Sequence, residues 1–239
     1  MPSFFEAIKD LLFPPHCLGC RQRLDSSQPP LFCDDCGANL AFIRSPRCLC
    51  CGIPFVSGAD HLCGDCLTGN HAFDMAHALL YYRPPASDLI RSLKFNGNLA
   101  GIATLKELIT HEKLLDGFAE PEIILPVPLH PSRLRERGFN QALVIAQGCL
   151  PNWKEKIETG LLLRHRPATP QSGLSGKERR KNLKNVFSLA DPEQVAGAKI
   201  LLVDDVYTTG STVNECSRVL RGAGAKRIEV FTLARSLTR

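Results

Sequence analysis

The stretch Ile200-Leu-Leu-Val-Asp-Asp-Val-Tyr-Thr-Thr-Gly-Ser-Thr212 gathers the residue types needed to hold a phosphate beside neutral hydroxyls. Ile200 to Val203 form an apolar run of the kind expected for a strand buried on both faces of a parallel sheet. The run ends in adjacent carboxylates, Asp204 and Asp205, which a buried strand carries only at a cost. Thr208, Thr209, Gly210, Ser211 and Thr212 then make a short turn into an amphipathic helix from Ser211 to about Arg221. Such a turn points successive backbone N–H groups and a helix dipole at one spot, which is an anion site. Acids beside an anion cradle suit a sugar phosphate: the cradle takes the phosphate and the acids accept from ribose hydroxyls. Asp204 and Asp205 are therefore the candidate catalytic residues, and Thr208 to Thr212 the candidate ligand cradle.

Two arginine-bearing segments carry complementary charge. Leu125 to Gln141 leaves a strand through prolines that forbid further ladder pairing, then presents Arg133, Arg135 and Arg137 before a helix. Arginine forks bind phosphate oxygens bidentately, so Arg133 is a candidate pyrophosphate contact. Arg164 to Asn185 holds seven Lys/Arg against one acid, a net of +6 that exceeds the +5 of the whole chain. A long basic connection of this kind is expected to close as a lid over a polyphosphate, with Gln171, Arg179 and Arg180 on the ligand.

The cysteines form a second constellation. Nine of eleven lie between Cys17 and Cys66, and eight make C-x-x-C pairs: Cys17/Cys20, Cys33/Cys36, Cys48/Cys51 and Cys63/Cys66. Two residues between thiolates let one tight turn offer both sulfurs to one ion, and two turns complete a tetrahedral site. Sequential grouping gives two structural zinc ribbons, Cys17/20/33/36 and Cys48/51/63/66; cross-braced pairing stays open. Cys50 is spare and could compete for the second site, while Cys149 and Cys216 look like apolar helix positions. Residues 1–70 carry five basic and seven acidic side chains, so this module is a poor phosphate reader. Zinc there is expected to supply folding energy that a small core lacks.

These sites need elements to hold them. With 239 residues and 44% hydrophobic content, the chain can build a core. It has no 18-residue apolar run and no basic n-region followed by an h-region, so neither a membrane span nor a secretory signal is expected. Clustered cysteines without export point to a reducing, cytoplasmic setting. Ser3 with Glu6 forms a capping box ahead of Phe4, Phe5, Ile8, Leu11 and Leu12, predicting a helix ended by Pro14 and Pro15 and packed on the protein itself. From about His71 an α/β rhythm begins. Strands are expected at Ala76–Tyr82, Glu122–Val127, Gly160–Leu163 and Arg227–Leu233, and helices at Ser87–Phe95, Leu99–Leu115 and Phe139–Cys149. The domains expected are 1–70, an N-terminal helix with a double zinc ribbon, and 71–239, the α/β unit.

The Ile200–Thr212 stretch resembles the phosphoribosyl-pyrophosphate (PRPP) motif of type I phosphoribosyltransferases. Over the whole chain, the order of the C-x-x-C array, Ser92-Leu-Lys-Phe95, Pro126-Val-Pro-Leu129, Arg137-Gly-Phe-Asn-Gln141, Gln171-Ser-Gly-Leu174, Arg179-Arg-Lys-Asn182 and Val203–Thr212 resembles the bacterial ComF family, including its GntX relatives. That resemblance implies a doubly wound parallel-sheet phosphoribosyltransferase-like domain behind a small double zinc ribbon. It implies two structural zinc ions, and magnesium bound with PRPP or a related phosphorylated ribose. It also implies handling of single-stranded DNA imported during natural transformation, with a competence helicase or translocase as partner. Two classes of function stay open at this level. One is an enzyme that captures an oxocarbenium-like ribose as pyrophosphate leaves; the other is a non-catalytic PRPP or nucleotide sensor, or DNA-binding adaptor.

Overall fold

The computed structural model describes residues 14–25, 31–69, 71–96, 99–166 and 186–237, with side chains 94–96 and 99–100 excluded. The expected N-terminal helix, Gln171, Arg179 and Arg180 lie outside the described residues. Two short helices, α1 (Asp34–Ala38) and α2 (Gly64–Leu67), begin right after Cys33 and Cys63. Then follow β1 (Met75–Tyr81), α3 (Ala86–Asn96), α4 (Leu99–His111), β2 (Ile123–Pro126), α5 (Pro131–Arg137) and α6 (Gln141–Cys149). The chain continues with β3 (Leu162–Arg164), β4 (Phe187–Leu189), β5 (Lys199–Tyr207), α7 (Ser211–Gly222) and β6 (Arg227–Arg235).

Four strands make one sheet in the order β1-β6-β5-β2, all parallel, and β3 pairs β4 antiparallel beside it. A parallel sheet must be covered on both faces. One cluster packs Leu89, Ile90, Leu105, Ile109 and Ile145 of α3, α4 and α6 on Leu201, Val203 and Phe231. The other packs Val213, Cys216 and Leu220 of α7, with Phe187 of β4, on Ile200, Leu202 and Val230. This is the doubly wound arrangement the alternating elements predict.

The ribbons share these cores. Leu18 and Leu31 belong to the first cluster, and Leu31 donates its N–H to Thr104 Oγ1 on α4 (3.0 Å). Cys48 and Cys51 belong to the second cluster. Ala76 of β1 donates to the Cys50 carbonyl at 2.6 Å, and Gly52 (φ 70°) lies so close that a Cβ would stand 2.3 Å from the Ala76 oxygen. Only glycine permits both that backbone and that approach.

Three local expectations are corrected. The buried strand does not stop at Val203 but runs to Tyr207, because β6 continues alongside it with Asp204 opposite Thr232 and Tyr207 opposite Arg235. The Arg133–Arg137 segment is a helix, started by Pro131 at its first turn and closed by Gly138 at φ 82°. The helix expected to reach Leu115 ends at His111, where Lys113 adopts φ 50° and a 3₁₀ turn follows at Leu114–Gly117. Among the described residues, no helix is long and apolar enough to cross a membrane.

Candidate functional site

The turn after β5 is built around Gly210, which adopts φ 70° and precedes α7. Its positive φ is one that side-chain-bearing residues rarely adopt, and a Cβ there would fall 2.1 Å from the Tyr207 hydroxyl. Gly210 brings no side chain to cap α7, and the Ser211 N–H makes only a long bond to Thr209 Oγ1 (3.4 Å), so the first turn and its dipole can receive an anion. Thr208 and Thr209 are exposed, and Thr209 Oγ1 lies 2.7 Å from Ser211 Oγ, which lines the turn with hydroxyls. Thr212 is half-buried in the first turn. Gly210 and Ser211 are buried beneath them, and the turn stands at the carboxyl end of the sheet, where ligands of open α/β sheets bind.

The two acids are not equivalent. A strand sends successive side chains to opposite faces. Asp205, 7% exposed, accepts from Gln141 Nε2 at the start of α6 (3.4 Å) and from the Val206 N–H (2.7 Å). Gln141 is held in turn by Arg137 Nη1 (2.5 Å). Asp204 belongs to the other face, where its charge acts on Arg164 of β3 and on Cys216 of α7. Burial draws the Arg164 guanidinium below its ordinary pKa, Asp204 opposes that, and neighbouring Arg133 adds to it. Arg164 also lies over the Phe187 ring at 5.3 Å. Burial, then Asp204, push the Cys216 thiol well up, so it is a neutral packing group. The carboxylates therefore flank the strand end, one on each face, with arginines behind both.

Arg133 is half-exposed on α5 and reaches Glu136 Oε2 at 3.4 Å. Beside it a cavity of about 600 Å³ opens, lined by Pro128, Leu134, Phe139, Leu143, Leu162 and Arg164. That volume suits a small organic ligand. The local pattern puts Arg164 only in the basic connection and gives Gln141 and Arg235 no role. The parts of Gln141 and Arg235 depend on contacts across 64 and 184 residues, and no local pattern signals such contacts.

The cysteines assemble sequentially. The Sγ atoms of Cys17, Cys20, Cys33 and Cys36 lie within 4.8 Å of one another, as do those of Cys48, Cys51, Cys63 and Cys66. Sγ–Sγ separations of 3.6 Å (Cys20–Cys33) and 3.7 Å (Cys51–Cys63) match the roughly 3.8 Å edge of a tetrahedron with Zn–S of about 2.3 Å. Burial raises the Cys17 thiol, but the N–H groups of Cys33, Cys20 and Gly19 outweigh it and bring it down to about 6. Cys48 is likewise lowered to about 6 by the N–H groups of Cys63, Cys51 and Cys50. Burial, then the neighbouring sulfurs, push Cys36 up to about 12, and burial takes Cys51 as high. Four thiolates so close need a cation to coexist, so the donor sets fit Zn²⁺. Cys50 stands outside the set, with Sγ 4.0 Å from the Phe73 carbonyl.

The double zinc ribbon domain family matches residues 8–67, and the phosphoribosyl transferase domain family matches residues 164–239. Competence protein F of Haemophilus influenzae is 36% identical over 231 residues, covering 92% of this chain and 96% of that protein. DNA utilization protein YhgH of Escherichia coli K12 is 36% identical over 202 residues (81% and 87%). Competence protein ComFC of Streptococcus pneumoniae is 28% identical over 206 residues (85% and 87%). Among solved structures, glutamine PRPP amidotransferase from B. subtilis, complexed with ADP and GMP, overlays with a TM-score of 0.32 at 21% identity, over 56% of this chain and 28% of that one.

Proposed function

The chain belongs to the ComF family of competence and DNA utilization proteins, and from that premise we propose that it binds PRPP with Mg²⁺ at the turn after β5 and works on imported single-stranded DNA. The observation that carries the reading is the Gly210 turn, which joins an uncapped helix N-terminus to two carboxylates at one strand end. The 5′-phosphate is assigned to the N–H groups and hydroxyls of Thr208 to Thr212. The ribose 2′- and 3′-hydroxyls are assigned to Asp204 and Asp205 as acceptors. The pyrophosphate extends toward Arg133, with Gln171, Arg179 and Arg180 closing over it. Mg²⁺ would be held mainly by oxygens of the ligand, since the protein offers few hard donors there, and would neutralise pyrophosphate charge. Arg133 and Arg164 hold the ligand's charge in place while Gln141 fixes Asp205.

Two structural zinc ions are assigned to the eight paired cysteines. With its cysteines clustered in C-x-x-C pairs suited to metal, the protein is assigned to the reducing cytoplasm. Calorimetry with PRPP and Mg²⁺ tests the site. Asp204→Ala with Asp205→Ala removes two charged acceptors worth about 1.5–3 kcal/mol each, so affinity falls at least about a hundredfold with the fold intact. Equal affinity of wild type and the double variant refutes the assignment.

A further inference from the structure

The phosphate turn and the second cysteine cluster are joined by a short path of buried contacts. Arg235, at the end of β6 and 8% exposed, donates through Nη1 to the Cys51 carbonyl (2.5 Å) and through Nη2 toward Cys51 Sγ (3.9 Å). The same guanidinium lies over the Tyr207 ring, 4.2 Å from its centroid. Parallel pairing sets Tyr207 opposite Arg235, and Ser236 donates to the Tyr207 carbonyl at 2.9 Å, so the stack is fixed by the sheet. At its far end the Tyr207 hydroxyl occupies the place where a Gly210 Cβ would stand, 2.1 Å from that position. Phe73 braces the same ring edge-on at 6.4 Å.

We propose that Arg235 and Tyr207 are positioning residues that tie the geometry of the phosphate turn to metal at Cys48/51/63/66. A guanidinium that donates to a metal-ligating sulfur is held by that sulfur's charge and orientation. When the four sulfurs close around Zn²⁺, the Cys51 peptide and Sγ are fixed, Arg235 is fixed on them, and its flat face holds Tyr207 under Gly210. With the cluster empty, Cys51 is free to turn and the arginine loses one of its two anchors. The turn then samples more conformations, and an anion binding it must order it first. Among the described residues the first cluster shows no such contact, so the coupling is assigned to the second. The consequence for ligand affinity rests on the PRPP reading above; the coupling itself does not.

Hydrogen exchange of the full-length protein without ligand separates the two. Zinc-loaded wild type should protect the Asn214 amide, which donates to the Gly210 carbonyl at 2.9 Å and so reports on the turn. Chelation should speed it by about tenfold or more, leaving Ile200 to Val203 of β5 protected. Arg235→Lys keeps the charge but neither the fork nor the stack. It should retain two zinc ions by elemental analysis, show the faster turn exchange already, and respond no further to chelation. A merely structural arginine would leave the chelation response in place, which overturns the proposal. Wild-type turn exchange in zinc-loaded Arg235→Lys, or turn exchange in wild type indifferent to chelation, overturns it as well. Calorimetry with PRPP and Mg²⁺ on the same samples distinguishes the readings. If wild type fails to bind PRPP, the ligand assignment falls while the exchange result stands. If it binds with an affinity that zinc and Arg235 do not alter, the coupling falls alone.

Discussion

At the scale of single residues, the site depends on atoms that are absent as much as on those present. Gly210→Ala adds a methyl 2.1 Å from the Tyr207 oxygen and forces φ 70° on a residue that resists it at a cost of about 1–2 kcal/mol. PRPP affinity measured by calorimetry should fall by roughly tenfold or more, since about 1.4 kcal/mol is a factor of ten, while β-sheet circular dichroism stays native. His77 on β1 shows the same sensitivity for stability. Its Nδ1 is buried with no hydrogen-bond partner among the described residues, and burial, then the Arg47 charge, lower its pKa from 6.5 to about 4, against a smaller opposing effect of Asp60. The unfolded chain takes up a proton near pH 6.5 and the folded chain only near 4, so stability should decline as pH falls through that window. Denaturant melts of wild type and His77→Phe at pH 7.5 and 4.5 should show a smaller acid loss in the variant.

At the scale of elements, the ribbons are bound into the α/β unit by packing rather than tethered to it. Leu18, 2% exposed between the first cysteine pair, contributes to the core that covers α3, α4 and α6. Leu18→Ala should therefore lower the stability of the main unfolding transition by about 2–5 kcal/mol, as for other buried leucines. The change should register in probes of the α/β unit, including the one tryptophan, Trp153, which packs against the same cluster. A loss confined to zinc affinity, with the main transition unmoved, would mean that the ribbon packs too loosely to matter. Arg44 on the ribbon side and Glu112 beyond α4 form a two-pronged pair at 2.8 and 2.9 Å, but Arg44 is largely exposed and adds little.

At the scale of the whole molecule, charge is divided. Residues 1–70 are net acidic while Arg164 to Asn185 carry +6, so single-stranded DNA should engage the α/β unit. Binding measured by fluorescence anisotropy should weaken steeply between low and moderate salt, with a slope set by the number of phosphates neutralised. Neutralising Lys177, Arg179, Arg180 and Lys181 to glutamine should flatten that slope. No aromatic residue lies between Arg164 and Lys184, so sequence preference should be slight. An unchanged slope in the quadruple variant would move the contact elsewhere.

The amino-acid sequence alone determined what depends on neighbours along the chain. The C-x-x-C spacing dictated the paired thiolates, because two intervening residues make one turn. The Ile200–Val203 run and the alternating helices dictated a parallel sheet covered on both faces, because periodicity is a local property. Residues around Gly210 could be read as a phosphate turn for the same reason. The tertiary structure decided what depends on register and on distant contacts. Strand β5 runs past Val203 because β6 pairs with it to Tyr207, and that extension sends Asp204 and Asp205 to opposite faces. Spacing favours the sequential grouping of sulfurs, and the structure selects it over cross-bracing. The capture of Asp205 by Gln141 and the Arg235 bridge from Cys51 to Tyr207 join residues 28 to 184 positions apart. Composition and spacing carry no signal over such separations; only the folded sheet brings those groups together.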